Sequence, residues 1–192
     1  GNVAMMYAGT RPERVRRLVN LEGFGMPATA PGQAPARYRR WLDEMRAQRT
    51  GGGVLRSYAS ASEVAARLRS NNPRLPEDKA LWLAAHWAAP GSDGRWHIQG
   101  DAAHKVASAQ LFRADEMLAL YAAIGAPTLM VKAEKDTMQG YWPGRYGLDE
   151  FMARIRHVPQ LRLADVADAG HMLHHDQPEA LARLIEDFLQ PG

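Results

Sequence analysis

Apolar positions along this chain recur in two rhythms. Short apolar runs occur at Leu18, Val19 and Leu21 and again from Ala126 to Val131, and a strand-like run follows from Leu161 to Val166. Runs of four to six residues ended by Gly or by charge predict strands buried on both faces of a parallel sheet. Between and after them the spacing widens to three and four. Residues 148–155 read as a helix, and 177–189 read as another with Leu181, Leu184, Ile185 and Phe188 or Leu189 inward and a stop at Pro191. At the front, Val3, Ala4, Met6 and Tyr7 have the small, apolar pattern of a buried helix, closed by Gly9, Thr10 and the Arg11-Pro12 break. Strands alternating with helices at both ends of the chain predict an α/β protein with a parallel sheet and helices on its faces.

The middle follows a different rule. Pro27, Pro31, Gly32 and Pro35 form a linker, after which helical spacing dominates. A helix is expected over 36–48, with Tyr38, Trp41, Leu42 and Met45 on one face and Gly51-Gly52-Gly53 ending it. A second starts near Ser62 as cap, turns Val64, Ala65 and Leu68 inward and stops at Asn72-Pro73. A third starts at Pro76, with Glu77 and Asp78 complementing its dipole and Leu81, Trp82, Leu83 and Trp87 as its apolar body. Asp93-Gly94 turns into a short strand at 95–98, and a helix over 115–124 closes the section. The expected division is therefore 1–25 as core, 26–125 as a mostly helical insert, and 126–192 as core again.

Composition narrows the classes. The 192 residues suffice for one domain, and no apolar run approaches the roughly 20 residues of a membrane-spanning helix. The absence of cysteine removes disulfides, thiolate metal sites and a cysteine nucleophile, and it fits a reducing, cytoplasmic setting. The formal charge of +3 comes with Arg scattered along the chain rather than gathered in one block with interleaved aromatics, which favours a solvated basic face over a nucleic-acid surface. Gly51-Gly52-Gly53 lacks the Lys-Ser/Thr that a phosphate-cradling loop needs. No cofactor is expected.

The chemistry concentrates in Ala169-Gly170-His171-Met172-Leu173-His174-His175-Asp176-Gln177-Pro178-Glu179, on the loop leaving the last strand. A His directly after Gly at a strand end is presented rather than packed. His171 and His175 are four apart, which on a helix would suit a metal. Gly170 and Pro178 argue against a helix there, and no fitting carboxylate set accompanies them, so no metal is expected. His86, His97, His104 and His157 carry no partner signal. Asp136 follows the middle strand, beside Lys135, where an exposed turn residue is the plainer reading.

Three segments together resemble the α/β-hydrolase family: Gly1-Asn2-Val3-Ala4 with its small helix, Pro127 to Asp136, and Ala169-Gly170-His171 followed by Pro178-Glu179. Their order and separation fit, although Ala133 stands where the family often has Gly. The resemblance implies a triad in which His171 is the general base and Asp136 the carboxylate that orients it, with Glu22 in reserve because some hydrolases place the acid at the end of that earlier strand. It implies a lid for residues 26–125, offering Trp41, Trp82, Trp87, Phe24 or Met26 to an apolar group of an ester-like substrate. It also implies a Gly-x-Ser-x-Gly nucleophile elbow. Ser57, Ser60, Ser62, Ser70, Ser92 and Ser108 all fail that frame. The nucleophile is therefore expected two or three residues before Gly1, in an N-terminal half of the same protein that acts as this segment's partner and without which the segment is inactive and aggregation-prone. The activity so implied is hydrolysis of a carboxylic ester or related acyl bond. An Asp nucleophile (epoxide hydrolase or dehalogenase) and a non-catalytic binding relative are the alternatives.

Overall fold

The computed structural model describes residues 1–52 and 55–190. In chain order its elements are α1 (Asn2–Thr10), β1 (Leu18–Leu21), α2 (Ala34–Arg49), β2 (Ser57–Tyr58), α3 (Ala61–Asn71), α4 (Glu77–Trp87), β3 (Ala88–Pro90), β4 (Trp96–Ile98), α5 (Ala114–Ala122), β5 (Thr128–Ala133), α6 (Leu148–Ile155), β6 (Leu161–Val166), α7 (Leu173–Asp176) and α8 (Pro178–Leu189). They form two compact units, one of residues 1–29 with 112–192 and the other of residues 30–111. The boundaries thus fall at 29/30 and 111/112 instead of 25/26 and 125/126, because α5 packs against α1 and belongs with the sheet. Gly53 and Pro191, expected at helix ends, lie outside the described residues.

The first unit is built on a parallel sheet in the order β1-β5-β6, with Leu18 opposite Thr128 and Thr128 opposite Leu161. Side chains on a strand alternate between faces, so each strand feeds two cores. Leu18 and Met130 join Met5, Met117, Tyr121, Phe151 and Ile155 on the side of α1, α5 and α6. Val19, Leu21, Leu129 and Val131 join Leu173, Leu181 and Phe188 on the side of α7 and α8. That two-sided burial is why β5 reads as an apolar run, whereas β6 carries Arg162 and Asp165, exposes Leu163 and buries only Val166 fully. The elements over 148–155 and 161–166 fall where the spacing predicts them.

Helix α1 forms as expected but turns differently. Met5, Ala8 and Gly9 are its buried residues, whereas Val3, Met6 and Tyr7 are exposed, Val3 by 80%. All of these positions are small or apolar, so periodicity could not select the face. On α8, Leu181 and Phe188 are buried and Leu189 is half exposed.

The second unit pairs an antiparallel sheet, order β2-β4-β3, with the hairpin of α3 and α4. Its core is Tyr58, Val64, Ala65, Leu75, Ala80, Ala84 and Ala88. Alanines 80 and 84 let α4 approach closely, and the larger Leu81, Trp82 and Trp87, expected inside, are exposed instead. The cap of α3 is Ser60, not Ser62: Ser60 Oγ accepts from Glu63 N–H at 3.2 Å, and Glu63 Oε2 accepts from Ala59 N–H at 2.9 Å. Helix α2 buries none of its residues fully: on the apolar face expected of it, Trp41 and Met45 are half-buried while Tyr38 and Leu42 are exposed. It ends on Gly51 at φ +83°, with Gly52 N–H donating to Ala47 C=O at 2.8 Å and Gly51 N–H to Gln48 C=O at 3.2 Å. That double closure needs the left-handed conformation glycine adopts without penalty.

Candidate active site

The carboxyl ends of the three parallel strands lie together, and in open α/β sheets that is where ligands bind. Each strand delivers one element of the site: Glu22 just after β1, Thr137 on the loop after β5, and His171 on the loop after β6.

Glu22 sits at φ +53°, an uncommon backbone for a residue with a Cβ. Two anchors hold it there. Its own N–H still donates to Val131 C=O at 2.9 Å, continuing the ladder. Buried Asn20 closes the turn around it, its Oδ1 accepting from Gly23 N–H at 2.9 Å and its Nδ2 donating to Gly23 C=O at 3.1 Å. A Cβ on Gly23 would fall 2.2 Å from Asn20 Oδ1 and 2.6 Å from Gly1 Cα, so the turn presses directly on the start of α1. Asn2 completes that junction, its Oδ1 accepting from Gly25 N–H at 2.8 Å.

The turn swings the Glu22 side chain over the end of β5, where only 1% of it stays accessible. A buried carboxylate needs donors. Ala133 N–H reaches Oε1 at 2.6 Å, the Thr137 hydroxyl reaches Oε2 at 2.5 Å, and His171 Nδ1 lies 3.1 Å from Oε2.

His171 is therefore paired with Glu22 and not with Asp136. The Asp136 carboxylate is exposed and bends back onto its own loop, where Oδ1 accepts from Met138 N–H at 2.8 Å at the start of a single helical turn. The shorter Asp side chain is used up as a turn cap, while the longer Glu22 spans the gap between strands. His171 keeps about two fifths of its side chain accessible and meets the edge of Tyr141 with ring centroids 5.1 Å apart. The loop itself is tied by Gly170 N–H donating to Asp176 Oδ2 at 2.7 Å. A one-turn helix, α7, does form after it, contrary to the reading of Gly170 and Pro178, but it starts at Leu173 and leaves His171 outside. His174 and His175 pack against each other, centroids 4.1 Å apart. Among the described residues no three His, Asp or Glu side chains gather closely enough to hold a metal ion.

A pocket of about 370 Å³ opens beside the pair, lined by Gly1, Asn2, Leu21, Glu22, Gly23, Phe24, Gly25, Tyr141, Trp142 and His171. Its floor is rigid. Phe24 packs edge-on against Phe151 at 5.0 Å, and its C=O accepts from the Tyr146 hydroxyl at 2.6 Å. Burial pushes that phenol up to about 12. Arg154 lies 4.4 Å over the Tyr146 ring, donates to Met26 C=O at 2.8 Å and pairs with Glu150. Of the aromatic and methionine side chains expected to meet substrate, Phe24 lines this pocket; Trp41, Trp82 and Trp87 belong to the other unit. Tyr141, Trp142, Asn2, Asn20 and Thr137 were not anticipated. Asn20 left one legible sign, a polar residue on the buried side of an apolar strand.

A buried carboxylate, a half-exposed imidazole and a pocket thus meet at the carboxyl ends of the strands. The described lining residues include no Ser, Thr or Cys. Among solved structures, a hypothetical protein from Pseudomonas aeruginosa superimposes with a TM-score of 0.77 at 22% identity, over 97% of this chain and 63% of its own. The thioesterase domain from the curacin biosynthetic pathway gives 0.74 at 20%, over 97% and 62%. An esterase of M. tuberculosis gives 0.65 at 20%, over 98% and 59%. The chain thus spans less than two thirds of the length of each of these three proteins. The family model described as the alpha/beta hydrolase fold matches residues 1–178, and the chain belongs to that family.

Proposed function

We propose that this chain carries the base and the orienting acid of a hydrolase that cleaves a carboxylic ester or related acyl bond, with His171 as general base and Glu22 in the role first expected of Asp136. The observation that carries the reading is the His171 Nδ1 to Glu22 Oε2 contact of 3.1 Å at the mouth of a pocket on the carboxyl ends of the strands. With Nδ1–H donated to Glu22, Nε2 is the nitrogen that accepts a proton. The nucleophile is a Ser hydroxyl from sequence preceding Gly1. His171 takes the Ser proton as the oxygen attacks the acyl carbon and returns it to the leaving alkoxide. It then takes a proton from water, whose hydroxide attacks the acyl-enzyme, and gives that proton back to Ser. Glu22 stabilises the imidazolium formed at each stage. Leu21, Phe24, Tyr141 and Trp142 favour an apolar or aromatic group on the substrate. The insert of residues 30–111 occupies the chain position of a lid.

The test is a panel of p-nitrophenyl esters and a fluorophosphonate probe applied to the full-length gene product. Turnover with Ser labelling, both abolished by His171→Ala, is the expected result. Turnover of epoxides or haloalkanes without fluorophosphonate labelling would replace the Ser with an Asp nucleophile and leave His171 to activate water.

A further inference from the structure

We propose that Thr137 is a positioning residue of the site, setting the basicity of His171 by sharing the carboxylate oxygen that holds it. The proposal rests on the His171–Glu22 reading above and adds a third member that the reading does not require.

The geometry is specific. Glu22 Oε1 is occupied by the Ala133 N–H at 2.6 Å. Oε2 has two donors, the Thr137 hydroxyl at 2.5 Å and His171 Nδ1 at 3.1 Å. The hydroxyl makes the shorter bond, and it comes from the loop after β5, a different element from those bearing Glu22 and His171. Hydrogen bonds to a charged oxygen are short and strong. The position of Oε2 is therefore fixed by Ala133 and Thr137, and the imidazole docks onto an oxygen already held in place. A side chain buried to this degree has no water to replace a lost donor.

The electrostatic consequence has a definite sign. A hydroxyl donating to Oε2 draws negative charge toward itself and away from the imidazole. Less charge at Nδ1 means less stabilisation of the imidazolium than in a site without the hydroxyl. The other groups around the imidazole keep their places. Tyr141 meets its edge from the loop after β5, and Asp176 on its own loop accepts Gly170 N–H. Asp168 sits on that same loop, while Asp136 is committed to Met138 N–H. Gly1 and Asn2 line the pocket from α1 without an ionisable side chain.

Two substitutions separate hydroxyl from shape. Thr137→Val keeps the volume and deletes the donor, whereas Thr137→Ser keeps the donor and deletes a methyl group. In the full-length protein the imidazole of His171 is titrated by NMR, its resonance identified by loss in His171→Ala, and kcat/KM is followed against pH. Thr137→Val should move the His171 titration curve to higher pH. It should also move the acid limb of the rate profile upward by the same amount, and Thr137→Ser should stay on the wild-type values. Thr137→Ala, which also lacks the hydroxyl, must shift in the same direction and serves if the Val variant does not fold. A His171 titration unmoved by Val or Ala, or moved equally by Ser, would overturn the proposal. The NMR titration reads the hydrogen bond whether or not the protein hydrolyses esters, so a failed activity screen with a shifted pKa faults the functional reading alone.

Discussion

His171 and Glu22 are 149 positions apart in sequence, yet the imidazole Nδ1 lies 3.1 Å from the buried carboxylate. The contact spans the sheet from the end of β1 to the end of β6, over the end of β5 between them. Glu22→Gln should keep the shape and remove the charge that stabilises the imidazolium. In serine proteases the matching Asp→Asn change costs about 10⁴-fold in kcat. A loss on the order of 10³- to 10⁴-fold is expected in the full-length protein, measured on its best ester substrate. Asp136→Asn should cost little, since an amide oxygen can still accept from Met138 N–H. The reverse ranking would return the acid to Asp136.

That swap marks where the sequence stopped being legible. The strands β1, β5 and β6, the helices over 148–155 and 178–189, and the His loop follow from local spacing and turn chemistry, which a linear reading captures. The choice between two carboxylates does not. Asp136 and Glu22 each end a strand, and the outcome depends on whether a side chain is spent on its own loop. It depends equally on the left-handed turn at Glu22, which Asn20 and Gly23 hold through contacts with the start of α1. The faces of α1 and α4 were misread for a related reason. A helix rich in Ala packs through its small residues, so the large apolar side chains, Trp82 among them, are left outside.

Gly23→Ala should be costly for its size. The new Cβ would sit 2.2 Å from Oδ1 of Asn20, which is buried and held by two bonds to Gly23, and 2.6 Å from the Gly1 backbone, so neither neighbour yields easily. Relief requires moving the turn that carries Glu22. A loss of about 1–3 kcal/mol is expected from such overpacking, read as a lower denaturant midpoint. Turnover should fall more than stability alone explains, because the carboxylate moves with the turn. Wild-type turnover in the folded variant would mean the turn tolerates displacement.

Alkaline pH should loosen the pocket floor. Burial raises the Tyr146 phenol from an ordinary value of 10.0 to about 12, so the folded state holds its proton more tightly than the unfolded chain does. The resulting stability is fully present below pH 10 and is lost as pH climbs toward 12. Tyr121 is raised by burial in the same direction and adds to the slope. Denaturant melts at half-unit steps from pH 9 to 11.5 should show stability falling through this window. Tyr146→Phe should begin less stable, having lost the bond to Phe24 C=O, but fall less steeply. An equal slope in both proteins would assign the loss to other groups.

The last prediction concerns the outer edge of β1. Among the described residues this strand pairs only with β5, so its other side presents unpaired backbone groups. Beside it, Val3, Met6 and Tyr7 of α1 project outward at i, i+3 and i+4 spacing, all exposed. An open strand edge next to an apolar helix face favours pairing with another chain. Residues 1–192 expressed alone should therefore associate as concentration rises, seen by light scattering and sedimentation velocity. Replacing Val3 and Tyr7 with Lys should suppress the association without touching any residue that lines the pocket. Extending the chain at its N-terminus with the adjoining gene-encoded sequence should suppress it as well. A monomeric 1–192 with a sharp cooperative melt at high concentration would show that this edge and helix face are stable in water as they stand.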